Sequence, residues 1–171
     1  WSWSRGLGDV YKRQRHAKSS WTNMYQIDFD RPLASKGQND AGLLNKFLKI
    51  HKIMPDIILS SPAARTKETL EISLKDIVTS EKVFFKDELY HASKETVLNL
   101  IELSNEEISS LMIIGHNPSM HNVFEQLSKQ TISKFPTCGL ASIAFQDSWK
   151  NIAKLVADEI NFITPKSLKG P

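Results

Sequence analysis

Leu111-Met112-Ile113-Ile114-Gly115-His116-Asn117-Pro118 decides how the rest of the chain is read. Four apolar residues in a row are the length of a buried strand, and Gly115 closes it. Met120, Val123, Phe124 and Leu127 then recur at helical spacing, so a helix is expected over residues 118–128. A buried strand running through a short polar junction into an amphipathic helix is the building unit of a layered α/β fold.

The same unit recurs on either side. Residues 56–60 read as a second buried strand between Pro55 and Pro62, and residues 62–78 resume helical spacing through Ala63, Thr66, Leu70 and Leu74. Helices are also expected over 38–50, through Ala41, Leu44, Phe47 and Leu48, and over 95–103, through Val97, Leu98 and Ile101. Val83–Phe85 reads as a short strand, and residues 141–145 and 152–157 as a closing pair around a turn near Asp147. Alternating strands and helices predict a mostly parallel sheet in one α/β domain.

Composition sets outer bounds. The chain has 171 residues, 40% hydrophobic and 24% charged, as in an ordinary globular domain. No apolar run approaches the roughly 20 residues that span a bilayer, so no membrane partner is expected. Cys138 is the single cysteine, which excludes an intrachain disulfide and a cysteine-based zinc site and agrees with a cytoplasmic setting.

The N-terminus reads differently. Ser4-Arg5-Gly6-Leu7-Gly8-Asp9-Val10-Tyr11-Lys12-Arg13-Gln14 matches one reading frame of a common transposase sequencing adapter. Residues 1–14 are therefore expected to be adapter-derived and not native, leaving a single domain over 15–171. Without them the formal charge falls from +3 to +1, from 19 basic and 18 acidic residues. That gives no case for a nucleic-acid partner.

In an open α/β sheet, ligands bind outside the carboxyl ends of the strands. Three junctions there carry chemistry: Arg15-His16, Ser60-Ser61-Pro62-Ala63-Ala64-Arg65-Thr66 and Gly115-His116-Asn117-Pro118. Ser61 before Pro62 and Asn117 before Pro118 look like helix N-caps followed by proline, which would aim N–H groups at one rim and favour an anion. Arg15 and Arg65 supply forked donors suited to phosphate, with Ser19 and Asn117 as further substrate-binding candidates. His16 is the candidate nucleophile and His116 a donor to equatorial oxygens. Each junction alone is ordinary; a lone Arg-His pair is noise and a capped helix start is common. Together they describe a phosphoryl-transfer pocket that could work without metal or cofactor. His51, His91 and His121 read as packing or surface residues.

Arg15-His16-Ala17-Lys18-Ser19-Ser20-Trp21 resembles the signature of the histidine phosphatase superfamily. Asp28-Phe29-Asp30-Arg31-Pro32-Leu33, Lys36-Gly37, Pro55-Asp56, Leu89-Tyr90 and Pro136-Thr137-Cys138-Gly139 extend the resemblance, with the junctions above, to its SixA-type phosphohistidine phosphatases. The resemblance covers Arg15 to about Lys166. It implies a three-layer α/β/α sandwich of the phosphoglycerate mutase-like kind. It also implies transient phosphorylation of His16, with Arg15, Arg65 and His116 completing the pocket, and a phosphotransfer protein as substrate. The alternatives are a small phosphate ester hydrolysed in the same pocket, or a non-catalytic phosphopeptide-binding module.

Two departures stand out. Family members that cleave alkyl phosphates place an acid near the Leu89-Tyr90 motif; here Glu88 comes one residue early, and Asp28 and Asp30 are alternative proton donors, the choice being open. A leaving imidazole needs such help less than an alkoxide does, which favours phosphohistidine. Secondly, the position of the first strand holds Val10-Tyr11-Lys12-Arg13-Gln14, so the domain is expected to lack its native first strand.

Overall fold

The computed structural model describes residues 2–9, as backbone, and 28–170. The six strands are β1 (Ser2–Asp9), β2 (Ile57–Ser60), β3 (Val83–Phe85), β4 (Ser110–His116), β5 (Gly139–Phe145) and β6 (Glu159–Ile163). They lie in the order β3-β2-β4-β1-β5-β6. From β3 to β1 the neighbours run parallel, whereas β5 is antiparallel to both β1 and β6. The helices are α1 (Ser35–Ile50), α2 (Ala64–Ser73), α3 (Lys94–Glu102), α4 (Ser119–Ser128) and the single turn α5 (Pro165–Leu168). Residues 28–30 are also helical.

The unbroken apolar run of β4 follows from its neighbours. Leu111 and Ile113 point into one core with Val97, Ile101, Met120 and Phe124 of α3 and α4, while Met112 and Ile114 point into a second with Leu44 and Leu48 of α1 and Leu74 beyond α2. Both faces are covered, so no position from Leu111 to Ile114 has reason to be polar. Helices on each side of one sheet make the α/β/α sandwich. Truncating a buried leucine such as Leu44 removes about 2–5 kcal/mol of stability. Ser93 caps α3, its hydroxyl accepting the Thr96 N–H at 3.1 Å.

The central position between β4 and β5 is held by Ser2–Asp9, and the Val10–Gln14 stretch that the sequence placed there lies outside the described residues. Three sequence expectations shift. The helix expected over 62–78 is α2, starting at Ala64 with Ala63 as its cap, so Ser61 is not the N-cap. Likewise α4 is capped by Pro118, after a cis Asn117–Pro118 peptide, and not by Asn117. Residues 152–157 are not a strand: Trp149–Lys154 forms a 3₁₀ turn, and β6 comes later. Ile152 and Leu155 are buried with exposed Ala153 and Lys154 between them, a three-residue spacing that a strand cannot present to one face.

Candidate active site

β2 and β4 are parallel neighbours in register Ser60 to Ile114, so their carboxyl ends share one rim, where the Ser61 N–H donates to the Ile114 carbonyl at 2.9 Å. Asp9 pairs with His116, which brings the end of β1 to the same rim.

Arg65 is the second residue of α2, close enough to the helix start for its side chain to reach back over the rim. It is buried, and among the described residues it meets three groups. Nη1 donates to the Asp28 backbone carbonyl at 2.8 Å, Nη2 lies 3.4 Å from the Asp28 carboxylate, and Nη2 stands 3.1 Å from Nδ1 of His116. A guanidinium has no lone pair to offer, so His116 Nδ1 is the acceptor and the ring proton of a neutral imidazole sits on Nε2. Nε2 then donates to the Ser61 hydroxyl at 2.8 Å. That hydroxyl also accepts the Ala63 N–H at 3.3 Å, so Ser61 fixes the tautomer of His116 as well as the turn into α2.

The electrostatics agree with a neutral ring. Burial, then the Arg65 charge, push His116 down from 6.5 to about 3, against an opposing pull from Asp28. The Asp28 carboxylate meets Arg65, Arg31 at 3.4 Å and the Tyr90 hydroxyl. Burial pushes its carboxyl up, but Tyr90, Arg65 and Arg31 outweigh that and hold it below 3.8. Tyr90 is buried, edge-on to His116 at 5.5 Å and to Phe29 at 5.1 Å, and its ring is tilted against that of His91 at 4.1 Å.

The structure therefore brings Arg65, His116 and Asp28 into one cluster. Arg15, His16 and Ser19 lie outside the described residues. Asp30 and Glu88 are exposed, and their side chains make no hydrogen bond or ion pair with Arg65 or His116. Asn117 donates Nδ2 to the Phe135 carbonyl at 2.8 Å, leaving its buried Oδ1 without a hydrogen-bond partner among the described residues. Sequence reasoning did not anticipate the roles of Ser61, Arg31 and Tyr90, or that His91 packs against the cluster. Leu89-Tyr90 stood in the resembling motif, but nothing local in it points to Asp28. No group of three His, Cys, Asp or Glu with metal-binding geometry occurs among the described residues.

Residues 14–90 match the model of the histidine phosphatase superfamily, branch 1. An uncharacterised protein of Mycobacterium leprae is 30% identical over 89% of this chain and 99% of its own length. The chain belongs to the histidine phosphatase superfamily. It is of the SixA type: the Escherichia coli phosphohistidine phosphatase SixA is 29% identical over 71% of this chain and 77% of its own. A solved structure assigned as SixA from Agrobacterium tumefaciens is 27% identical, with a TM-score of 0.73 over 96% of this chain and 99% of that one. An uncharacterised chloroplast protein of Arabidopsis thaliana is 34% identical over 80% of this chain, which spans 66% of that protein's length. Histidine phosphatase membership supports phosphatase activity. No helix among the described residues is long and apolar enough to cross a membrane.

Proposed function

We propose that this histidine phosphatase removes the phosphoryl group from phosphohistidine on a phosphotransfer protein, by way of a covalent phosphohistidine on His16. In the first step a ring nitrogen of His16 attacks phosphorus, the P–N bond to the substrate imidazole breaks, and the leaving nitrogen takes a proton from water. In the second, water attacks phospho-His16 and releases inorganic phosphate. Arg15 and Arg65 grip the phosphoryl oxygens, with Ser19 and Asn117 at the edge of the pocket. His116, held as a neutral Nε2–H tautomer, turns toward the oxygens as charge builds on them.

The observation that carries the reading is the buried Arg65–His116 pair at 3.1 Å, a forked cation and a fixed imidazole at the junction where strand ends meet. The state of Asp28 supports phosphohistidine over alkyl phosphates: a carboxyl held below 3.8 is an anion at neutral pH and serves as an acceptor for Arg65, not as an acid. In this reading the steps use side chains and water, with no metal taking part.

The test is acid-labile phosphate trapping during turnover of a phosphohistidine protein, in wild type and His16→Ala. Label on wild type alone is expected. An unlabelled but active wild type defeats the covalent route, and faster turnover of sugar phosphates than of the phosphoprotein favours a small-molecule phosphomonoesterase.

A further inference from the structure

Arg65 also lines a cleft of about 740 Å3 whose walls come from residues 31–40, 133–137 and 164–169. Its charge is one-sided. Among the described residues six cations line it, Arg31, Lys36, Arg65, Lys134, Lys166 and Lys169, against one acid, Asp40. Three of the six are committed: Arg31 and Arg65 face Asp28, and Lys169 stands 3.1 Å from the buried Asp40 carboxylate, which neutralises the lone acid. Lys36, Lys134 and Lys166 are exposed and pair with no acid within 4 Å among the described residues. Lys36 also sits in the first turn of α1, which has no acidic residue, so the helix dipole adds to its field.

A concave surface lined by one sign of charge focuses its field on the opposite sign. The chain as a whole is only +3, so the excess is local to this cleft. Small-molecule sites converge a few fixed polar groups inside an apolar lining. Here the uncommitted charges are flexible, exposed and spread over three walls, which suits several carboxylates on a protein surface.

We propose that this cleft docks an acidic segment of the phosphorylated protein, with Lys36, Lys134 and Lys166 meeting its Asp and Glu side chains while the phosphoryl group reaches Arg65. The inference rests on the phosphoprotein reading above and adds the sequence character that the partner must have around its phosphohistidine.

The experiment compares wild type with Lys36→Ala/Lys134→Ala/Lys166→Ala, and with the single variant Lys134→Glu. The substrates are a phosphohistidine peptide with Asp and Glu flanks, the same peptide with Asn and Gln flanks, and N-phosphoimidazole. Wild type is expected to favour the acidic peptide by roughly tenfold in kcat/KM, through KM, with the preference shrinking at high salt. The triple variant is expected to lose that preference and Lys134→Glu to weaken it, while N-phosphoimidazole turnover stays unchanged in both. A wild type without the preference, or a triple variant that keeps it, overturns the proposal.

Binding of the unphosphorylated acidic peptide separates this outcome from failure of the functional reading. If wild type cleaves none of the three substrates, that reading falls, and lysine-dependent peptide binding still decides the docking site. A cleft that binds inorganic pyrophosphate but not the acidic peptide also overturns the proposal.

Discussion

Arg65 Nη2 and His116 Nδ1 face each other at 3.1 Å, and the contact fixes where the histidine keeps its proton. The ring is neutral with its hydrogen on Nε2, turned to Ser61, and its affinity for a second proton is low, about 3. An oxyanion placed against the pair reverses that balance, because it stabilises imidazolium and draws the guanidinium away from Nδ1. Saturating tungstate or phosphate should therefore raise the His116 pKa well above 3, as read by NMR titration of its ring resonances. An unchanged titration curve with ligand bound would place the anion elsewhere.

Stability should fall with acid in a window set by the same ring. The folded pKa, about 3, lies below the ordinary 6.5, so between these values the unfolded chain binds more protons than the folded one. The contribution of the neutral ring is complete above 6.5 and is lost as pH falls toward 3, at up to about 1.4 kcal/mol per pH unit. Asp28, held below 3.8, acts in the same sense at more acid pH: its contribution is present above 3.8 and is lost as pH falls through its lowered folded value. Denaturant midpoints between pH 7 and 4 (roughly the window in which ordinary histidines titrate) should drop less steeply in His116→Gln than in wild type. Parallel slopes would contradict this.

Arg65→Lys keeps the charge and loses the fork. One ammonium cannot hold the Asp28 carbonyl, its carboxylate and His116 together, so kcat/KM should fall about a hundredfold to a thousandfold on N-phosphoimidazole. A loss below about threefold would remove Arg65 from the phosphoryl pocket.

Asp28→Asn separates an acceptor from a proton donor. As the anchor of Arg65, Asp28 should when changed to Asn slow phosphoramidates and alkyl phosphates by similar factors. As a general acid it would cost alkyl phosphates about a hundredfold more. Tyr90→Phe removes one donor to the same carboxylate and should cost about 1–3 kcal/mol of stability, measured by urea unfolding.

The adapter-derived reading of residues 1–14 predicts a weak central strand. β1 carries Gly6 and Gly8 in its interior and Arg5 opposite Met112 in register, a sequence poorly suited to a central strand between β4 and β5. Replacing Ser2–Asp9 with a Val- and Ile-rich strand should raise Tm by several degrees, at about 2–4 °C per kcal/mol for a chain of this size. Equal melting temperatures would refute it.

Much of this architecture is written locally. β4 is legible because two covered faces leave an uninterrupted apolar run, and α3 and α4 because a single buried face gives a helical repeat. The rim residues are legible because they follow those runs directly. What escaped is what depends on distance. Tyr90 meets the Asp28 carboxylate from 62 residues away, and no local pattern in either stretch announces the pairing. Asp28, Asp30 and Glu88 look equivalent as sequence; only burial and the facing guanidiniums set Asp28 apart. Ser61 before Pro62 looks like a helix cap because the hydroxyl accepts a backbone N–H in the turn, while its other bond, to His116, spans 55 residues. The closing strand was misplaced because the buried Ile152 and Leu155 belong to a 3₁₀ turn anchored by Trp149, whose indole donates to the Ile108 carbonyl at 3.1 Å.

The place of β1 in the sheet has a consequence for synthesis. Its two neighbours, β4 and β5, both come from the second half of the chain. On a ribosome any strand encoded ahead of both partners to fill this place emerges long before either, and it must stay unaggregated until both have been translated. A nascent chain stalled before residue 139 can seat that strand against β4 alone, leaving its other edge open to whatever β-strand it meets.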